Sequence, residues 1–341
     1  MRRRNISIVL LLCSIGVLIL ICDSAAAVSS AQSAIQLCLT TVIPSLFPMC
    51  VLTSVITNAT IGKIIPFANI LHRISGMPMG SESLLTAGMI GGYPLGAKLV
   101  AEFYEDGTLS KTQADWMLTF CSNAGPAFVF GLCGKLFTEP IAPLTIWSIQ
   151  ICSALMVART FRCTNSEQVR ISTRNNSLQN IIWGSTKAMG TICAWIILFR
   201  VIIGAVERWV FFMIPKDANI LLKCILELTC GIVALPMIGN EQVRFIICST
   251  ALTLGGICIY MQTASLIGSL DKKSYIKGKL LQSAYSLFLA VCCIKIVYTS
   301  GAIHYFAPLF PIVLIFSAVF LQKAMAFSKT IIYNTRKIVR G

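Results

Sequence analysis

The stretch Ser83-Leu-Leu-Thr-Ala-Gly-Met-Ile-Gly-Gly-Tyr-Pro-Leu-Gly-Ala-Lys-Leu-Val-Ala-Glu-Phe-Tyr104 decides the fold class. As a helix it is long and apolar enough to cross a hydrocarbon core of roughly 30 Å. Yet its centre, Gly88-Met-Ile-Gly-Gly-Tyr-Pro94-Leu-Gly96, holds the residues that interrupt helices. In lipid each bare N–H or C=O costs several kcal/mol, so broken backbone at membrane depth must be buried in protein or line a wet cavity. The stretch therefore predicts an all-α, polytopic transmembrane bundle that contains interrupted helices.

The rest of the chain fits that frame. Its 341 residues are 56% hydrophobic and 12% charged, with mean hydropathy +0.80. A soluble domain carries about 25% charged residues, because water must solvate its surface. One membrane domain over residues 1–341 is expected, with ten apolar segments near 6–22, 32–57, 83–104, 114–137, 141–158, 180–206, 219–238, 243–267, 279–300 and 304–323. Residues 1–27 have the layout of a signal peptide, Arg2–Arg4 before the apolar run and Ser24–Ala27 after it. The run is longer than an ordinary signal-peptide core, which predicts an uncleaved first helix with its N-terminus inside.

The net charge of +15 does not imply a nucleic-acid partner, because of where the charge lies. Seventeen of the 28 Lys and Arg fall in Arg2–Arg4, Arg159–Lys187, Lys272–Lys279 and Lys323–Arg340, all beside apolar spans. That is the pattern of loops retained in the cytoplasm, with the lipid bilayer as partner. It predicts a basic cytoplasmic loop over 159–179, a final helix over 304–323, a basic cytoplasmic tail over 324–341, and both termini inside. Ten simple crossings would put the 159–179 loop outside. The conflict disappears if one of segments 83–104 and 114–137 is re-entrant or broken, and likewise one of 219–238 and 243–267. The expectation is about eight crossings plus two irregular elements.

Glycine and proline mark where those elements lie. The first half, 30–158, carries the Gly91–Gly96 break and Ser122-Asn-Ala-Gly-Pro126; the second, 180–300, carries Leu228-Thr-Cys-Gly231 with Pro236, and Thr253-Leu-Gly255-Gly256. Charge parity makes the halves enter the membrane from opposite sides, an inverted repeat. Paired interruptions in two halves are the sequence pointer to a transporter's substrate site.

Candidate site residues follow from the breaks. Gly91, Gly92 and Pro94 free backbone beside Tyr93, and Lys98 one turn on either faces an anionic solute or pairs with Glu102 at i,i+4. Ser122 and Asn123, ahead of Gly125 and Pro126, either bind a ligand or mark close helix packing at a kink. Glu227 is an acid inside an apolar stretch before Gly231: a proton-coupling carboxylate, or a partner of Lys223. Arg200 either binds a carboxylate, snorkels, or pairs with Glu207. Gln262, after Gly255 and Gly256, hydrogen-bonds a ligand or bridges helices. The fifteen cysteines lie mostly in apolar runs without a CxxC pair, and there are two histidines, His72 and His304. No metal site, cofactor, disulfide framework or nucleophile–base set is readable, so no enzymatic activity is expected.

The residues resemble the sporulation integral membrane protein family of the YlbJ type, within the nucleoside-recognition or Gate-domain membrane proteins. The resemblance rests on Val42-Ile-Pro-Ser-Leu-Phe-Pro48, Gly91-Gly-Tyr-Pro-Leu-Gly-Ala-Lys98, Gly107-Thr-Leu-Ser110 and Cys121-Ser-Asn-Ala-Gly-Pro-Ala-Phe128. It continues through Leu226-Glu-Leu-Thr-Cys-Gly231, Leu254-Gly-Gly256 with Gln262, and Tyr275-Ile-Lys-Gly-Lys279, in family order over roughly residues 30–290. It implies a spore-forming bacterium and transport of dipicolinic acid from the mother cell across the outer forespore membrane. The expected partner is thus a small anionic solute, with a homo-oligomer left open. A nucleoside-type carrier and a non-transporting scaffold of a sporulation complex are the competing readings.

Overall fold

The computed structural model describes Leu10, Ser14, 16–18, 20–64, 68–163, Val169, 177–209, 213–299 and 302–317. Most of the first apolar segment, most of the 159–179 loop, the end of the final helix and the basic tail lie outside the described residues. Among the described residues the chain is helical, with turns between helices and no strand.

The first long helix, α1, runs Ser24–Thr60. Its hydroxyl side chains return hydrogen bonds to carbonyls one turn back, as when Thr40 donates to Gln36 at 2.8 Å and Thr57 to Thr53 at 2.7 Å. This satisfies polar groups inside an apolar element. A π-helical turn, Cys38–Val42, interrupts it just ahead of Pro44 and Pro48. After a short helix α2, Ala68–Ser75, come α3, Glu82–Gly91, and α4, Leu95–Glu105. Between them Gly92 takes φ 82° and the Tyr93–Pro94 peptide is cis.

The two arms double back on each other. A Cβ built on Gly96 would lie 2.9 Å from the Cα of Gly88, whereas one continuous helix would separate those Cα atoms by about 12 Å. The carbonyl of Cys121 enters the gap: Cβ atoms on Gly88 and Gly96 would fall 1.7 and 1.8 Å from its oxygen. Only glycine on both arms admits that approach.

Helix α5, Lys111–Leu118, opens on a reciprocal cap between Ser110 and Gln113. The chain then unwinds through 119–125 and re-forms as α6, Pro126–Gly131. Helix α7 spans Ala142–Phe161.

The second half repeats the order of the first. Long helix α8, Leu178–Trp209, is followed by α9, Lys216–Leu226, and α10, Leu228–Ala234. These form another reversal: a Cβ on Gly231 would sit 2.4 Å from the Cα of Cys224, against about 10 Å along one continuous helix. Helix α11, Glu241–Leu254, is capped by Asn240, kinks at Gly255 (φ 81°) and Gly256 (φ 77°), and continues as α12, Gly256–Leu266. Helix α13, Lys272–Val297, is capped by Asp271, which accepts from the backbone N–H of Lys273 and of Ser274, each at 3.1 Å. A 3₁₀ stretch, Ala302–Leu309, leads into the last described helical residues.

So all four segments expected to supply two irregular elements are interrupted. Segments 83–104 and 219–238 reverse, segment 114–137 unwinds, and segment 243–267 kinks. Among the described residues five helical spans are long and apolar enough to cross a bilayer: Ser24–Thr60, Ala142–Phe161, Leu178–Trp209, Glu241–Leu266 and Lys272–Val297. Their outer faces expose Leu39, Leu52, Trp183, Leu198, Leu280 and Phe288, a surface that suits lipid tails rather than water. The chain is an integral membrane protein in contact with the bilayer.

Helix α1 runs antiparallel to α8. Near one end Asp23 pairs with Arg208 at 3.2 Å, and toward the other Cys50 lies 3.4 Å from Ser185. Ascending numbers in one helix meet descending numbers in the other. The core between the helices is dense, with Phe103, Phe120, Phe245 and Met117 fully buried.

Candidate functional site

Three of the four interruptions, and the helix that follows the fourth, line one cavity of about 370 Å³. The first reversal contributes Gly92 and Tyr93, and the unwound stretch contributes Ala124 and Gly125. The second reversal contributes Glu227, Leu228 and Thr229, and α12 contributes Ile259 and Gln262 just past the kink. Thr41 of the π-turn, Ser45, Ile192 and Ile196 add to the walls, with Lys135 from the 3₁₀ turn Cys133–Leu136 that follows α6. The volume and the mix of apolar wall with a few convergent polar groups are those of a small-molecule site.

The freed backbone is satisfied group by group. Tyr93 donates its hydroxyl hydrogen to the carbonyls of Leu252 at 2.9 Å and Thr253 at 3.3 Å, just before the Gly255 kink. In the unwound stretch Asn123 Nδ2 donates to Phe120 O at 2.7 Å, and Gln150 Nε2 of α7 donates to Ala124 O at 2.7 Å. Lys279 of α13 donates to Ser122 O. Gln282 Nε2 donates to Asn123 Oδ1 at 2.7 Å and to Gln150 O at 3.3 Å. Unwinding at depth persists here because side chains replace the lost helix bonds.

Glu227 is the turn of the second reversal. It is extended, with φ −145°, and its carboxylate accepts from the N–H of Thr229 at 3.0 Å and of Cys230 at 2.7 Å. The acid is a buried N-cap for α10, and its negative charge faces the positive end of that helix. Lys223 is not its partner: Lys223 pairs with Glu207. The Glu227 N–H still closes the last turn of α9 on Lys223 O at 2.8 Å, but its carboxylate is turned onto the start of α10.

Three of the seven residues expected to bind solute line the cavity: Tyr93, Glu227 and Gln262. Gln262 donates to Cys258 Sγ at 3.3 Å, four residues back on its own helix. Ser122 and Asn123 are fully buried behind the wall, where α13 holds them. Lys98 pairs with Glu102 at 2.9 Å and lines a separate narrow void with Cys50, Gly91 and Pro94. Arg200 donates from Nη1 to Cys230 Sγ at 2.9 Å and does not line the cavity; Glu207 is taken by Lys223. Among the interruption residues, Gly92 and Gly125 face the cavity, where a Cβ on either would come within 3.1 Å of the other's backbone. Gly91 ends α3, Pro126 opens α6, Gly231 packs the second reversal, and Gly255 and Gly256 form the kink.

Sequence reading missed Thr41, Lys135, Gln150, Lys279 and Gln282. In the sequence the cluster Lys272–Lys279 reads as a cytoplasmic loop; α13 instead begins at Lys272 and carries Lys279, 2% exposed, into the core. The available signal was Gln282 three residues later on one helical face, a second polar residue in an apolar run. Among the described residues no three His, Cys, Asp or Glu side chains gather as a metal site.

No family model matches the chain. It is similar to the sporulation integral membrane protein YlbJ of Bacillus subtilis (strain 168), with 22% identity over 311 residues, covering 76% of this chain and 75% of that one. No solved structure matches. The match supports the YlbJ-type family.

Proposed function

We propose that this chain, an integral membrane protein of the YlbJ type, is a carrier for a small polar solute and acts during sporulation. Dipicolinic acid, moved toward the forespore across the outer forespore membrane, is the first candidate. The observation that carries the reading is the convergence of three helix interruptions, and of the helix after a fourth, on one cavity. Interrupted helices place backbone donors and acceptors at membrane depth, where a carrier needs them and a scaffold does not. The repeated order of long helix, reversal and broken helix, with α1 antiparallel to α8, supports two halves of inverted orientation. Eight crossings with both termini cytoplasmic suit that arrangement and the basic clusters.

For a flat dianion the cavity offers the Lys135 ammonium and donors from Thr41 and Gln262, while the Glu227 carboxylate is taken by the N-terminus of α10. A nucleoside is the second reading. It is favoured by the uncharged character of most polar groups in the cavity.

The test is deletion of the gene in its native spore-former, with dipicolinate measured separately in spores and mother cells. Depleted spores beside a mother cell that still makes dipicolinate are expected, restored by the wild-type gene and not by Gln262→Ala. Normal spore dipicolinate would remove that solute, and nucleoside uptake by the reconstituted protein would then separate the second reading from a scaffold.

A further inference from the structure

Lys279 is a buried lysine with no buried acid beside it among the described residues. Its side chain is enclosed among α13, the turn of the first reversal and the unwound stretch. Among the described residues no carboxylate lies within ion-pair distance of it. Its ionisable neighbours are Tyr93, Tyr275 and the Cys121 thiol, all neutral near pH 7 in their ordinary state. An ammonium buried this way is costly unless the surroundings replace water around it.

What replaces water is a set of neutral oxygens. The ammonium donates to the Ser122 carbonyl, to Gln282 Oε1 at 2.7 Å and to the Tyr93 hydroxyl oxygen at 3.2 Å. The Tyr93 ring adds a face 4.9 Å from the ammonium to the ring centroid. Each oxygen is fixed from behind. Tyr93 is anchored on Leu252 and Thr253, and the Gln282 amide is oriented by Asn123 and Gln150. The register of α13 is fixed too, since a Cβ on Gly278 would lie 2.1 Å from Thr119 O. A backbone carbonyl from an unwound helix, with side-chain oxygens around it, is the donor set by which carriers hold a monovalent coupling cation.

The geometry points to Lys279 as a tethered cation: its ammonium occupies a monovalent-cation site built from Ser122 O, Tyr93 Oη and Gln282 Oε1. The broken helices are thereby held without a free sodium or potassium ion at this position. The site lies behind the solute cavity, so the inference does not depend on which solute is carried.

The test uses the full chain purified in detergent, with thermal unfolding followed in choline, sodium, potassium and methylammonium chloride at one ionic strength. Wild type is expected to unfold at one midpoint in all four. Lys279→Ala vacates the site; it should unfold lower in choline and recover by several degrees, saturably, in at least one small cation. Lys279→Met fills the same space without charge and should unfold lower than wild type and stay there in every salt. A lysine that served only as packing would give no cation-dependent recovery. Folded Lys279→Ala that none of the cations shifts overturns the proposal. If Lys279→Ala yields no folded protein, Lys279→Met decides: a wild-type midpoint overturns the proposal, and a lowered, salt-independent midpoint upholds it.

Discussion

Tyr93 donates its hydroxyl hydrogen to the carbonyl of Leu252 at 2.9 Å, joining the turn of the first reversal to the last helical turn before the Gly255 kink. One side chain thus satisfies backbone freed in the second half from a break in the first. Tyr93→Phe keeps the ring, strands that carbonyl and removes one acceptor of Lys279. An unsatisfied buried acceptor costs about 1–3 kcal/mol. The thermal midpoint of the purified variant should fall by several degrees, and a midpoint within one degree of wild type would count against the join.

The Gly88–Gly96 pair brackets the Cys121 carbonyl, with no room for a methyl group on either side. Gly88→Ala and Gly96→Ala should each reduce folded protein in the membrane severely, since the obstruction is backbone and not a movable side chain. Gly190→Ala is the control: its Cβ would meet nothing within 4 Å, on an exposed helical face. It should express as wild type does. Equal yields of all three variants by detergent-solubilised size exclusion would contradict the close approach.

Glu227 caps α10 with both carboxylate oxygens. Glu227→Ala removes both bonds and should cost about 1–2 kcal/mol of stability, the usual scale for a lost cap. Glu227→Gln keeps one acceptor and should lose less. Unfolding midpoints ordered wild type, Gln, Ala are expected; indistinguishable midpoints would separate the acid from the cap.

Lys98 pairs with Glu102 and lies outside the main cavity. Lys98→Ala should leave spore dipicolinate close to wild type, because the Lys98 ammonium is held by Glu102 and does not line the cavity. Loss of spore dipicolinate in this variant, with normal protein levels, would place Lys98 in the solute path.

The breaks were legible in the sequence because glycine and proline act locally: Gly92, Gly125, Gly231 and Gly255 sit at or beside the interruptions they suggested. The difference between a reversal and a kink was not legible. It depends on what each arm packs against, as the Cys121 carbonyl does between Gly88 and Gly96. Lys98 and Arg200 stand out in the sequence because they lie in apolar runs; in the structure Lys98 pairs with Glu102, whereas Arg200 reaches Cys230 through Nη1 and its buried Nε is left without a partner. Lys279 looked like a loop charge because basic residues precede it; only the start of α13 at Lys272 shows that it lies two turns inside.

The central claim is that the cavity where the interrupted helices converge is the solute site, and uptake into vesicles tests it most directly. The purified chain is reconstituted into liposomes, and entry of labelled dipicolinate is followed for wild type, Gln262→Ala and Lys98→Ala. The account predicts saturable entry with wild type and Lys98→Ala and at least a tenfold loss with Gln262→Ala, at equal amounts of folded protein. Undiminished entry with Gln262→Ala alongside loss with Lys98→Ala would contradict it.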